Sequence, residues 1–241
     1  MRHFIALLTF IIAIAGQGIA QSDYQRIESK ASRFFANEEW SSANAMYILM
    51  LEQHPRETDT YARAIVSYYM SGDTVRAVNI LPAALSFRVP ADSLLTEVRN
   101  ISFGLGRGDL YENYLMRLQE SFPWFSRVAD NYLMQYYAFR QNGPELIRYA
   151  HTMLAGLPDN RNFLRMLATG LLLVGDTQGA LEAWRRVVGL YPDDYDTILD
   201  LANCYDAMNN RGEALEWMRR AYALKPTPYV GSRIDALTGS K

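Results

Sequence analysis

Six prolines recur at nearly constant spacing along this chain. They are separated by 35, 33, 35, 34 and 34 residues, in a chain with nine prolines in all: Pro55, Pro90, Pro123, Pro158, Pro192 and Pro226. Proline cannot continue a helix, because it lacks a backbone N–H and its ring clashes with the preceding turn. A constant interval of about 34 residues therefore predicts a series of repeated helical hairpins, each ended by a proline.

The clearest internal repeat covers residues 161–226, where two consecutive units can be superimposed. Large and small apolar residues take the same places in both units, before a final proline. In the first unit these are Leu164, Leu167, Ala168, Leu171, Ala180, Trp184, Val187 and Pro192, and in the second Ile198, Leu201, Ala202, Tyr205, Ala214, Met218, Ala221 and Pro226. This spacing resembles the tetratricopeptide repeat (TPR).

Applied to the rest of the chain, the same interval predicts six units, at residues 22–55, 56–90, 91–123, 124–158, 159–192 and 193–226. Units 3 and 4 fit less well, since Arg99, Tyr111, Met134 and Leu146 stand where small residues are usual. No period-two strand pattern is present. The sequence predicts an all-α fold, and the resemblance implies a right-handed α-solenoid of about six TPR-like hairpins over residues 21–226.

Turn and end signals agree with this reading. Gly72 and Gly175 fall at the same unit position, where glycine can end the first helix with a positive φ. The aspartate after each glycine can cap the second helix. After Pro226 the repeat fails, and residues 227–241 are predicted to form a capping helix and a tail. Its apolar face comprises Val230, Ile234 and Leu237.

Residues 1–20 have the layout of a secretory signal peptide. A short basic start precedes the apolar run from Phe4 to Ala15, and small residues lead to Ala20. The apolar run is shorter than the roughly 20 residues that a membrane span needs. We therefore expect an exported protein, periplasmic or secreted, with no membrane span after cleavage of this segment.

Composition and motifs predict a protein that is not an enzyme. The formal net charge of -2 gives no general attraction to nucleic acid. No catalytic motif, metal-ligand set or cofactor-binding motif is evident, so neither metal nor cofactor is expected. The aspartates between Asp193 and Asp200 are read as helix-end charges. Cys204, the single cysteine, is read as a small buried residue.

The resemblance implies a concave groove lined by the first helix of each hairpin. Carrying the groove positions over gives a surface of aromatic and amide side chains with two arginines: Arg63, Tyr69, Asn100, Phe103, Asn131, Tyr132, Gln135, Phe139, Asn162, Arg165 and Asn203. Its two arginines are too far apart to clamp one terminal carboxylate. Groove and core positions differ by one residue of register, so ordinary packing between repeats is the alternative for the aromatics.

Two functional hypotheses follow. The first is a non-enzymatic scaffold or adaptor of the cell envelope that binds a peptide or protein in the concave groove. The alternative is a structural subunit that self-assembles, or joins an outer-membrane complex, through its convex face. A basic stripe with a 34-residue offset marks that face: Arg185, Arg186, Arg219 and Arg220. An oligomer is expected under the second hypothesis.

Overall fold

The computed structural model describes residues 23–239, and every regular element in that range is an α-helix. The predicted signal peptide lies outside the described residues. Helix α1 covers residues 23–36. It is followed by α2 (Trp40–Gln53), α3 (Thr58–Met70), α4 (Thr74–Ser86), α5 (Ala91–Gly104), α6 (Gly108–Ser121), α7 (Ser126–Phe139), α8 (Gly143–Gly156), α9 (Arg161–Leu173), α10 (Thr177–Leu190), α11 (Tyr195–Ala207), α12 (Arg211–Leu224) and α13 (Pro228–Thr238). The lack of strands in residues 23–239 confirms the predicted all-α class.

The helices group into two compact units, an N-terminal unit ending at Ser121 and a C-terminal unit beginning at Phe122. In the N-terminal unit α2 packs on α3, α3 packs on α4 and α5, and α6 packs on α4 and α5. In the C-terminal unit each helix from α7 to α13 packs on the next one, and α7 also contacts α9. Each unit is therefore a stack of helical hairpins, as in TPR folds.

The six regularly spaced prolines lie in the turns from one hairpin to the next. Pro90 is the N-cap residue of α5. The other five lie in the short connections after α2, α6, α8, α10 and α12. A proline at such a place removes no intrahelical hydrogen bond, so the interval seen in the sequence is the length of one hairpin. Pro82 differs, because it lies inside α4.

The turn inside each hairpin contains one residue with a left-handed backbone. At six positions spaced by 34 or 35 residues φ lies between 53° and 84°: Glu38, Gly72, Gly106, Gln141, Gly175 and Asn209. The positive φ predicted for Gly72 and Gly175 is confirmed. Glycine adopts this conformation without steric cost, because it has no Cβ. Three hairpins use other residues there, so the backbone conformation recurs more regularly than the glycine does.

In four hairpins the residue that follows the left-handed position caps the second helix with its side chain, whereas Glu39 at the start of α2 makes no such bond. The carboxylates of Asp73 and Asp176 accept hydrogen bonds from the backbone N–H three residues on, at 3.1 and 2.9 Å. The side chains of Asn142 and Asn210 accept equivalent bonds at α8 and α12. The caps predicted at Asp73 and Asp176 are confirmed, and asparagine does the same work in two other hairpins.

We expect Gly175→Ala to lower the free energy of unfolding by about 1–2 kcal/mol, because a Cβ disfavours the left-handed conformation by that amount. Gly189→Ala is the matched control. Gly189 lies within α10, and an added Cβ there would meet no heavy atom within 4 Å beyond its chain neighbours and the backbone of its own helix. Alanine should raise stability there by roughly 0.5–1 kcal/mol. Urea midpoints of both variants test this. A stabilising Gly175→Ala would contradict the left-handed turn.

Most of the predicted framework residues belong to the core of the C-terminal unit. Small and large apolar side chains of α9 to α12 make one buried cluster, which includes Ala168, Ala180, Trp184, Ile198, Leu201, Ala202, Tyr205, Ala214, Met218 and Ala221. Helix α13 covers the end of this cluster with buried Val230 and partly buried Ile234 and Leu237. An ion pair between Arg233 and Asp206 also ties α13 to α11.

The hairpins of units 3 and 4, which fit the repeat pattern less well, also have buried cores. Tyr111 is 1% exposed although it takes a small-residue position. Met134, Leu146 and Ala150 are all buried. The small Ala150 offsets the volume of the two large residues, which is the kind of exchange that cores tolerate. Arg99, the other large residue at a small-residue position, is exposed. None of the helices in residues 23–239 is both long and apolar enough to cross a bilayer.

Candidate functional site

In the N-terminal unit the predicted groove residues lie on α3 and α5. Arg63 donates a hydrogen bond from Nε to Asp59 Oδ2 at 2.7 Å. Its guanidinium carbon also lies 5.4 Å from the ring centroid of Phe35 on α1. Phe103 is half-buried, whereas Asn100 is exposed. Because Arg63 is already held by a carboxylate and a ring, the accessible part of this surface lies towards Asn100.

Tyr69 packs within the N-terminal unit. Its ring stands edge-on to that of Tyr114 on α6, with centroids 5.7 Å apart. Its hydroxyl oxygen is buried and has no hydrogen-bond partner among the described residues. Burial raises the pKa of Tyr69 to about 12, against the opposing effect of Arg117. The structure therefore places this aromatic side chain in contacts between helices.

Four predicted groove residues lie on α7 in the C-terminal unit. Asn131 and Tyr132 are half-buried, and Gln135 and Phe139 are exposed. Phe139 has 72% of its surface accessible. A large exposed ring beside an exposed amide is typical of interface anchors. Helix α7 therefore presents the more accessible of the predicted aromatic residues.

Arg165 on α9 is held by the acidic start of α11. Its two terminal nitrogens donate to Asp196 Oδ2 at 3.4 Å and Asp200 Oδ2 at 3.3 Å. One turn earlier, Arg161 pairs with Asp194 at 3.2 Å. Asn162, between the two arginines, is exposed. The arginine predicted to face a ligand is thus engaged by two carboxylates of the next hairpin.

The acidic residues of α11 sit in different environments. Asp194 is the N-cap, and its carboxylate accepts from the backbone N–H of Thr197 at 3.0 Å. Burial opposes ionisation of Asp194, but the Thr197 hydrogen bonds and the nearby arginines outweigh it and lower its pKa. Burial raises the pKa of Asp200, and Asp196 and Asp194 add to this against the effect of Arg165. Asp194 is stabilised as a capping anion, whereas the negative charge of ionised Asp200 is only partly balanced by Arg165.

A cavity of about 450 Å³ opens between α9, α10 and α11. Its lining combines apolar and polar side chains, namely Thr169, Leu172, Thr177, Trp184, Asp200, Asn203, Cys204, Ala207 and Met208. Asn203 is one of the predicted groove residues. Trp184, Cys204 and Met208 were not predicted to take part in a site. Trp184 occupies a core position of the repeat pattern and Cys204 was interpreted as a small buried residue, so the sequence offered no reason to place either in a cavity wall.

Cys204 behaves as a small core residue. It is 7% exposed, and burial raises the pKa of its thiol. A high thiol pKa leaves little thiolate, the reactive form, at neutral pH. Cys204 therefore adds a soft apolar surface to the cavity.

The basic stripe is largely occupied with contacts inside the C-terminal unit. Arg185 contacts the Tyr205 hydroxyl. Arg186 donates to Asp159 Oδ1 at 2.8 Å, and Arg220 donates to the backbone carbonyl of Pro192 at 2.6 Å. The last two bonds are equivalent in adjacent hairpins, because each ties a second helix to the loop before its own first helix. Arg219 is exposed.

Within residues 23–239 no group of three or more His, Cys, Asp or Glu side chains is placed to hold a metal ion. Asp196 and Asp200 form ion pairs with Arg165 of the preceding hairpin, and Asp194 caps α11. These interactions explain the cluster of aspartates at the start of α11.

The fold and these surfaces define the class of protein, namely an all-α chain of stacked TPR-like hairpins. A family model described as tetratricopeptide repeat matches residues 171–232. That segment runs from the end of α9 into α13 and includes most of the cavity lining. No curated protein sequence matches the chain.

Several solved structures share the fold. PilW, described as a widely conserved type IV pilus biogenesis factor, is 16% identical with a TM-score of 0.54, covering 88% of this chain and 98% of PilW. A tetratricopeptide repeat protein from Parabacteroides merdae is 14% identical with a TM-score of 0.51, covering 90% and 87%. MamA is 15% identical with a TM-score of 0.52, covering 59% and 83%. At such identities the likeness shows the fold alone.

Proposed function

We propose that this chain is a non-enzymatic scaffold that binds a peptide or protein through its first helices. The observation that supports this is the cavity between α9, α10 and α11, whose lining includes first-helix side chains, among them the predicted groove residue Asn203. Exposed Gln135, Phe139 and Asn162 extend the available surface along α7 and α9. Mixed amide and aromatic surfaces suit an extended peptide, because amides pair with its backbone and rings bury its side chains.

A location in the cell envelope is part of the proposal. It is supported by the signal-peptide pattern of residues 1–20. Fold likeness to PilW adds nothing on this point, since it shows the fold alone.

The convex-face alternative receives less support from the geometry. Arg186 and Arg220 stabilise their own hairpins, and Arg185 contacts Tyr205. Reversing these charges would disturb the fold as well as any assembly. Arg219, which is exposed, is therefore the one member of the stripe suited to testing that face.

Site-specific photo-crosslinking tests the proposed surface. A photoreactive amino acid at Gln135 or Asn162 is expected to give a discrete protein adduct in the native envelope fraction, because both positions are exposed on first helices. The matched control is Val75, which is 68% exposed on the second helix α4. It should give no adduct.

An adduct formed only from a probe at Arg219 would assign binding to the second helices and contradict the proposal. So would the absence of adducts from both first-helix positions in protein that retains its helical circular dichroism.

A further inference from the structure

The cavity between α9, α10 and α11 has walls of two kinds. Leu172 and Met208 are partly open apolar side chains, 43% and 48% exposed. Ala207 and buried Cys204 continue this apolar wall. Thr169, Asp200 and Asn203 supply polar atoms on α9 and α11. A volume of about 450 Å³ is enough for a long side chain together with adjoining backbone.

Three side chains of the polar wall offer hydrogen-bond acceptors, in addition to the Asn203 amide group and the Thr177 hydroxyl. The Thr169 hydroxyl donates its hydrogen to the Arg165 carbonyl oxygen at 3.0 Å, so the hydroxyl oxygen can act towards a ligand only as an acceptor. The side-chain oxygen of Asn203 accepts one bond from the Tyr229 hydroxyl at 3.2 Å and keeps a second lone pair. Ionised Asp200 is acceptor-only. Three acceptors around one space match a group with several N–H donors.

The charge of the wall favours a cation. Asp194, Asp196 and Asp200 are joined to only two guanidinium groups, those of Arg161 and Arg165. One carboxylate is therefore in excess. Asp200 is the half-buried member that also lines the cavity. A bound cation would supply the missing positive charge where water is partly excluded, which is where an ion pair is strongest.

Trp184 adds an unsatisfied donor. Its side chain is 4% exposed and forms part of the cavity lining. Its indole Nε1 has no hydrogen-bond partner among the described residues. Because this nitrogen has almost no accessible surface, the donor lies beneath the cavity wall, and a ligand would contact the indole ring instead.

We propose that this cavity binds a lysine side chain of the peptide partner. The alkyl chain lies along Leu172 and Met208, and the ammonium group donates to Asp200, Thr169 and Asn203. Lysine fits because a long apolar stem carries three donors at its tip, whereas the planar guanidinium of arginine suits bidentate acceptors. The inference rests on the proposed function, for which it specifies the chemistry of the partner.

Blocked tripeptides with a central residue between two glycines test this in the full chain. The central residue is lysine, norleucine or Nε-acetyl-lysine, and the readout is the NMR signal of the Trp184 indole N–H, assigned with Trp184→Phe. The lysine peptide should shift this signal saturably with a Kd in roughly the millimolar range, as expected for one side chain. The two uncharged peptides should bind at least about tenfold more weakly.

Two variants separate the cavity from the wider acidic surface. Asp200→Asn should weaken binding of the lysine peptide at least about tenfold, since it removes the charge that meets the ammonium group. Asp193→Asn, at an exposed position outside the cavity lining, should leave the affinity unchanged. Thermal unfolding checks the fold of both. Asp200→Asn should not lower the midpoint at neutral pH, because burial already disfavours the ionised carboxylate.

Equal affinity for the lysine and norleucine peptides would overturn the proposal and leave an apolar pocket. Full binding by Asp200→Asn, or no shift with any peptide up to its solubility limit, would overturn it as well. These failures are distinct from failure of the scaffold function. Crosslinks at Gln135 and Asn162 would then persist, whereas loss of those crosslinks with intact lysine binding would remove only the wider groove.

Discussion

Gly170→Leu is expected to destabilise the C-terminal unit by about 3 kcal/mol or more, the upper range for overpacking a close contact. A Cβ at position 170 on α9 would lie 2.8 Å from Ile147 Cγ1 and 3.2 Å from Ile147 N on α8. The carbonyl oxygen of Gly143 would be 3.3 Å away. Two of these three neighbours are backbone atoms, so the helices would have to separate to admit a side chain.

The close approach of α8 and α9 also constrains Gly143, which provides a second variant. A Cβ at Gly143 would meet the Gly170 carbonyl oxygen at 3.0 Å. Gly143→Ala should therefore also destabilise the unit. Gly156→Ala is the control in the same helix, because its Cβ would meet only the guanidinium end of Arg127, which can move. Urea unfolding followed by circular dichroism measures all three. A Gly170→Leu midpoint equal to wild type would show that α8 and α9 are not in close contact.

Tyr114→Phe is expected to raise the free energy of unfolding of the N-terminal unit by about 1–3 kcal/mol, the cost of a buried polar group without a partner. The Tyr114 side chain is fully buried. Its hydroxyl has no hydrogen-bond partner among the described residues, and the same is true of the hydroxyl of neighbouring Tyr69. Burial, followed by the proximity of Tyr69 and Tyr111, raises the pKa of Tyr114 well above its ordinary value.

Tyr61→Phe is the matched control for this change. Tyr61 is also buried, but its hydroxyl donates to the Pro55 carbonyl at 3.2 Å. Loss of that bond should lower stability by about 1 kcal/mol. The same chemical edit should thus have opposite signs at two buried tyrosines. Thermal and denaturant unfolding midpoints of the two variants test this difference. A destabilising Tyr114→Phe would mean that the Tyr114 hydroxyl makes a hydrogen bond.

The fold was predictable because its signals are local and repeated. Pro55, Pro90 and the later prolines mark the ends of hairpins, and Gly72-Asp73 and Gly175-Asp176 mark the turns inside them. Each signal has a backbone cause that operates wherever the residue occurs. The turns at Glu38, Gln141 and Asn209 could not be found in this way, since residues other than glycine adopt the same conformation there.

The candidate site was less predictable, because a helix can change the role of a side chain by a single residue of register. Tyr69 had a groove position in the repeat pattern, yet its ring packs on Tyr114. Arg165 also had a groove position, yet two carboxylates of α11 hold it. Such partners lie on the next hairpin, and a repeat pattern gives no distances between side chains of neighbouring hairpins.

The cavity was not predictable from the repeat pattern either. Trp184 matched the core pattern, and it is indeed 4% exposed. That a core residue also forms a cavity wall depends on how α9, α10 and α11 diverge around it. The one available hint was chemical, since a large indole needs an acceptor for its N–H when it is buried.

The side-chain bonds between hairpins have a narrow reach along the chain. Those described between different helices or between a helix and a loop span at most 37 positions, for Arg107 and Met70. Each of these bonds therefore joins a hairpin to an adjacent hairpin or to its own loops. A gene encoding such a chain can gain or lose a hairpin by duplication or deletion while the remaining contacts keep their partners. The proposed lysine cavity is formed by two adjacent hairpins, so loss of either one would remove it.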